Sequence, residues 1–167
     1  MTATTDFDLL MQSSDPAVVI ATVCDGDSRD GCLIGFHTQA GIDPLRVCLW
    51  FSRANKTYGT MLKSPYVGIH FPTTDDYDLA ALFGGTSGDT ADKFAECALD
   101  PNSTDVPLLT RCPNRIIARK LLVLDDGADH VCVITEPIQS QSTGPFVPLR
   151  VSDLRAVTPG HEADDSR

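Results

Sequence analysis

The sequence has no long apolar runs, and no stretch approaches the roughly 20 residues needed to span a bilayer. Its first residues, MTATTDFDLL, are acidic and short of apolar side chains, so they lack the basic start and apolar centre of a secretory signal. Both absences predict a cytoplasmic protein with no membrane partner. The six cysteines (Cys24, Cys32, Cys48, Cys97, Cys112 and Cys132) form no C-x-x-C pair, and His37, His70, His130 and His161 form no i, i+4 pair. No metal site is therefore expected. Cys32, Cys48 and Cys132 sit inside apolar runs and read as buried small hydrophobes. Asn102 to Thr104 fits a glycosylation sequon, but without an export signal it reads as a loop.

Basic residues are scarce. Lys and Arg number 13 against 23 Asp and Glu, a net charge of −10, which argues against nucleic acid as a partner. Acidic residues are in turn absent from Pro44 to Thr74, a window holding Arg46, Arg53, Lys56 and Lys63. The rest of the chain keeps 9 basic and 23 acidic residues, a balance of −14. A locally positive segment in an acidic chain suits a small anion; the other reading is a chance cluster of solvated charges beside a helix.

Catalytic signatures of several classes are also missing. The glycine-rich FGGTSGD, Phe83 to Asp89, has no Lys-Ser or Lys-Thr after it and is not a phosphate-cradling loop. Asp89 stands where a nucleophile elbow needs its last glycine. From the residues alone the stretch reads as a helix C-terminus followed by a turn. There is no internal repeat and no low-complexity segment.

What is present is a chain of 167 residues with 42% hydrophobic content, enough for one domain. Short β-branched or aromatic runs cover 17–24, 32–39, 45–51, 66–71, 115–124 and 130–138, each bounded by turn residues. The loops DGDSRDG and DDGAD link hairpins, which makes a meander and not alternating βαβ units. Helical signals are few: NKTYGTMLKS with Asn55 as N-cap, DDYDLAALF, and the short TADKFAECA. The pattern predicts a mainly β fold, a closed antiparallel barrel with a few short helices. The domain is expected over residues 1–150, with residues 151–167 as a flexible polar tail.

His37 and Gln39 alternate along one strand and should share a face. If that face were core, each unsatisfied polar group would cost about 1–3 kcal/mol. A ligand can supply the partners, and so can backbone or solvent at the barrel rim.

Taken together, PAVVIATVCDGD, GCLIGFHTQAGIDPLRVCLWFSRANKT, SPYVGIHF, LAALFGGTSGDTADKFA, VPLL and ADHVCVI, in this order from Pro16 to Ile138, resemble the flavin-reductase-like branch of the FMN-binding split-barrel proteins. The resemblance implies a six-stranded antiparallel split barrel and a homodimer with flavin near the subunit interface. It also implies NAD(P)H-dependent flavin reduction, with FMN or FAD as cofactor and NADH or NADPH as co-substrate. Carried over residue by residue, it points to Gly35, Phe36, His37, Thr38 and Gln39 around the flavin. It places Ser52, Arg53, Asn55, Lys56 and Thr57 at its phosphate, and Phe83, Gly84 and Lys93 in a covering segment. His130 would help orient nicotinamide and flavin; alternatively it anchors the strand start through Asp129.

The chain departs from the family pattern at two places. Gly35 and Phe36 stand where many flavin reductases carry Asn-Ser, and Thr135 stands near the place of a glycine. Three functions are consistent with these residues: a flavin reductase supplying a partner flavin-dependent monooxygenase, a flavin or deazaflavin enzyme acting on another substrate, and a non-catalytic flavin-binding module. Hydride transfer to flavin needs no general acid or base, so the missing triad does not exclude the first two.

Overall fold

The computed structural model describes residues 4–161. Seven strands, β1 (Val19–Asp25), β2 (Ser28–Ile34), β3 (His37–Ile42), β4 (Leu45–Ser52), β5 (Tyr66–His70), β6 (Arg115–Leu124) and β7 (His130–Gln141), form one sheet. The order is β2-β1-β5-β6-β7-β4-β3 and every pairing is antiparallel. Three α-helices, α1 (Asp6–Ser14), α2 (Lys56–Lys63) and α3 (Tyr77–Gly85), accompany it among the described residues. No helix among these residues is long and apolar enough to cross a membrane.

The buried residues form four clusters, and the first draws on most of the sheet. Val19, Leu49, Phe51, Met61, Ile69 and Val133, from β1, β4, α2, β5 and β7, are wholly buried together. Along β4 the alternation puts Leu49 and Phe51 inward, so Trp50 and Ser52 project from the opposite face. Strand β1 is buried on both sides. Its outer residue Ile20 packs with Leu79 and Phe83 of α3 and with Phe94 and Leu109. Gly26, at φ 59°, closes the β1–β2 hairpin in the left-handed conformation that tight hairpin turns require.

Seven strands replace the six expected. The run Cys32 to Gln39 is not one strand: it breaks at Gly35–Phe36, where the chain leaves β1 and joins β4 as β3. Apolar continuity hides such a change of partner. The helix α1 was also not foreseen, although Thr5 and Asp8 form a capping box at its start.

The segment after residue 150 differs from the flexible tail expected. Val151–Leu154 form a 3-10 turn, and buried Leu154 packs against Val18, Ala80 and Leu149. Ser152 donates to Asp15 through both its N–H, at 2.9 Å, and its hydroxyl, at 2.7 Å. Gly160 N–H donates to the Gly84 carbonyl at 3.0 Å. Residues 151–161 therefore belong to the same body as the sheet. The spacing of Val151, Leu154 and Val157 carried that signal, diluted by the polar residues around it. The end of the expected tail, 162–167, lies outside the described residues.

Candidate functional site

The break between β2 and β3 builds one wall of the site. Trp50 N–H donates to the Phe36 carbonyl at 3.0 Å, holding the link beside β4. On the outer face of β4, Ser52 stands opposite His130 of β7. The Phe36 ring meets the His130 imidazole edge-on, with centroids 5.1 Å apart and planes at 63°. Phe36 remains 58% exposed, so one aromatic face of this pair is open to solvent.

His130 is held from behind. Its Nδ1 lies 3.0 Å from Asp129 Oδ1. The loop leading to it is fixed by Arg53, whose backbone N–H donates to the Asp129 carbonyl at 3.0 Å and whose Nε donates to the Ala128 carbonyl at 2.7 Å. The same guanidinium pairs with Asp125. Arg53 therefore holds the loop that carries His130 and is not a free cation facing a phosphate.

Three residues past β4, α2 begins. Asn55 caps it by accepting the Thr57 N–H at 3.0 Å, and no acidic residue occupies its first turn. Lys56 donates to the Gly88 carbonyl at 3.1 Å and lies 3.7 Å from Asp30. Asn55 and Lys56 share a narrow cleft with Gly84, Thr86, Ser87 and Gly160. A helix start beside an ammonium group is suited to an anion.

The structure thus brings Phe36, His130, Ser52 and Arg53 together and sets Asn55, Lys56 and Gly84 around the cleft at the start of α2, with Gly35 at the chain break beside Val151. Other expected residues lie apart from it. His37 turns inward, with Nε2 2.8 Å from the Ala17 carbonyl and its ring edge-on to Phe71. Thr38 and Gln39 are exposed and bond to nearby backbone, at Gln39 and Gly41. Thr57 is buried at 1% exposure. Phe83 is core, packed on Phe94 and over Gly31, where any side chain would collide with its ring. Lys93, 4% exposed, donates to the Gly31 carbonyl at 2.8 Å and the Phe83 carbonyl at 3.2 Å, and burial lowers its pKa. It ties β2 to the segment after α3.

The positive window is also neutralised by the fold. Arg46 pairs with Glu136, Arg53 with Asp125, Lys56 with Asp30 and Lys63 with Asp25, each carboxylate lying outside the window in sequence. Sequence reasoning missed Asp30, Gly88 and Gly160. Asp30 begins the buried part of β2, after exposed Ser28 and Arg29, and its sequence neighbours read only as a hairpin loop. Among the described residues no group of three or more His, Cys, Asp or Glu is placed to hold a metal ion.

Residues 11–142 match the flavin reductase like domain family. The chain belongs to that family. The fold of this flavin-reductase-like chain is shared with solved structures at low identity. The NADH:FAD oxidoreductase of Streptomyces globisporus C-1027 is 14% identical, with 89% of each chain covered and a TM-score of 0.74. A flavin reductase domain protein of Arthrobacter sp. FB24 is 19% identical, with 85% of this chain and 86% of that one covered, at 0.72. An FMN-binding protein of Thermus thermophilus is 19% identical, with 89% and 88% covered, at 0.71. No curated protein sequence matches the chain.

Proposed function

We propose that this protein is an NAD(P)H-dependent flavin reductase that holds FMN, or FAD, along the strip from Phe36 and His130 to the start of α2. The observation that carries the reading is the exposed Phe36–His130 pair, with His130 directly opposite Ser52 and Ser52 a short turn from the capped helix start. That donor set fits a flavin: an aromatic surface for the ring, then a hydroxyl, an ammonium and a helix N-terminus for the phosphate. When bound, the flavin supplies the redox chemistry by taking a hydride from the nicotinamide.

The chain's own part is positioning. Phe36 and His130 offer the surface on which planar rings are set, and Arg53 fixes the loop that aims His130. Ser52 and Lys56 hold the phosphate end, and the α2 dipole adds to their attraction. Onward delivery of the reduced flavin to a flavin-dependent monooxygenase is part of the same proposal.

Mass spectrometry of the copurifying cofactor, followed by NADH and NADPH oxidation with added FMN or FAD, tests the reading directly. Consumption of neither nucleotide would sink it and favour a flavin or deazaflavin enzyme acting on another substrate. The variant His130→Ala, folded and flavin-loaded, should slow flavin reduction in stopped flow about tenfold, the scale of a lost positioning contact. An unchanged rate would remove His130 from the mechanism and leave it as the anchor of β7.

The working unit in this proposal is a homodimer. Ile42 and Leu45 at the β3–β4 turn, and Leu121, Leu122 and Leu124 on β6, are 42–82% exposed, and this apolar surface supports the reading. A second copy would bury it in an isologous contact. Sedimentation at micromolar concentration should give a dimer; a monomer that still binds flavin would overturn this.

A further inference from the structure

A cavity of about 300 Å³ lies at the end of β7 away from His130, between Phe71, the start of β6 and the loop that follows Gln141. Phe71, Ile116 and Phe146 give it largely apolar walls, and the Phe71 and Phe146 rings meet edge-on with centroids 6.3 Å apart. Ser140, Gln141 and Ser142, all exposed, stand at its mouth. Its one charged wall residue, Arg115, is already engaged: the guanidinium donates to Asp100 at 2.7 Å and to the Leu109 carbonyl at 3.4 Å. The cavity therefore offers a ligand no free charge.

What it does offer is one amide. Asn114 is 4% exposed, and its Oδ1 accepts both the Thr143 N–H, at 2.8 Å, and the Thr143 hydroxyl, at 3.2 Å. A backbone N–H can only donate, so the first bond fixes which end of the amide is oxygen. Its Nδ2 has no partner among the described residues, although every wholly buried side-chain nitrogen or oxygen there has one. The Nδ2 is therefore not closed off, and the open space beside Asn114 is this cavity. A water molecule there would need about two to four polar partners, and Phe71, Ile116 and Phe146 supply no side-chain group for it. A hydrocarbon would leave the amide unanswered, and an anion would find no cation. An otherwise apolar ligand with one acceptor oxygen meets both conditions. A flat ring can lie against Phe71 and Phe146, and the volume suffices, since a cavity of about 150 Å³ already holds benzene.

We propose that this cavity is a second small-molecule site, taking a neutral monocyclic aromatic compound whose carbonyl oxygen accepts from Asn114 Nδ2 while its ring packs on Phe71 and Phe146. None of these residues is among those given to the flavin, so the proposal goes beyond the flavin reductase reading and can stand or fall without it. Acetophenone is the probe, and toluene is the comparison, the same ring with no acceptor. Binding to the full-length protein is read by saturation-transfer NMR titration. Asn114→Asp keeps an acceptor for Thr143 and removes the amide donor. Ser140→Trp, at the exposed mouth, fills the cavity without touching the core.

Acetophenone should bind the parent protein at millimolar concentration or below. Asn114→Asp should weaken acetophenone about tenfold and toluene by no more than about twofold, while Ser140→Trp should weaken both about tenfold. Ser140→Trp decides the location by itself if Asn114→Asp does not fold. Saturating FMN should leave the acetophenone affinity within about twofold. Acetophenone binding in a protein that takes up no flavin and oxidises no nicotinamide would keep this site and end the flavin reading. Equal losses of the two probes in Asn114→Asp, unchanged affinities in Ser140→Trp, displacement of acetophenone by FMN, or no acetophenone binding at millimolar concentration would each overturn the proposal.

Discussion

Lowering the pH from about 7.5 to about 5 is expected to destabilise the fold by about 2 kcal/mol through one side chain, His70. The imidazole is wholly buried, with Nδ1 3.1 Å from the Ile20 carbonyl and Nε2 accepting the Leu109 N–H at 3.0 Å. Those partners require the neutral ring with its proton on Nδ1. A second proton would displace the Leu109 bond and place a charge inside the protein. Burial, helped by nearby Arg115 and opposed by the Ile20 bond, pushes the His70 pKa from 6.5 down to about 4.

A group whose folded pKa lies below its unfolded value stabilises the fold above the unfolded value and loses that contribution as pH falls towards the folded one. The window here is pH 6.5 to about 4, at about 1.4 kcal/mol per unit. Paired carboxylates act at lower pH. Asp78, held by Arg111 well below the ordinary carboxylate range, at about 2, contributes above 3.8 and loses its contribution only below that. Urea denaturation of the parent and of His70→Gln across this range separates the two. The variant should be weaker at neutral pH yet nearly flat between pH 6.5 and 4. An equal slope in both proteins would assign the acid sensitivity to other groups.

The same histidine shows why sequence reading stopped where it did. Along the chain His70 only ends an apolar run, and nothing there indicates Leu109 as its partner. The partnership depends on how the segment from Val106 to Cys112 crosses the outer face of β1, where the Thr22 hydroxyl also donates to the Pro107 carbonyl at 2.6 Å. Gly68 belongs to this arrangement, since a Cβ there would collide with the Thr22 hydroxyl. Strand periodicity and turn residues located the meander and α2 because those signals are local. Partners brought together across long loops leave no local signal.

The site divides along the same line. Asn55 as a helix cap was legible from its residue type, and the family-like order named both Phe36 and His130, which the fold brings into ring contact. His37, Thr57, Phe83 and Lys93 carried the right chemistry for a ligand, yet the fold gives them backbone or core partners. The positive window misled for a physical reason. Net charge along a segment says nothing of which carboxylates antiparallel pairing and hairpin return will bring beside it, and here Asp25, Asp30, Asp125 and Glu136 all return to the window. Local helix geometry survives this neutralisation, because the α2 N-terminus depends on backbone direction and not on side-chain pairing.

Lys56→Glu is therefore expected to weaken FMN binding about 100-fold, because a charge-assisted hydrogen bond of about 1.5–3 kcal/mol is lost and a like charge takes its place. Riboflavin, which shares the ring but has no phosphate, should bind the variant within about twofold of the parent. Helix α2 should persist, since a carboxylate in its first turn is favoured by the dipole and Asn55 still caps it. The new carboxylate would lie beside buried Asp30, so Lys56→Gln is the milder control, removing the cation without adding repulsion. It should lose about tenfold in FMN affinity, and the parent's preference for FMN over riboflavin should shrink as salt is raised. Fluorescence titrations with both ligands read all of these outcomes. Parallel losses of FMN and riboflavin in the two variants would mean that the start of α2 does not hold the phosphate, and the strip from Phe36 and His130 would then have to end elsewhere.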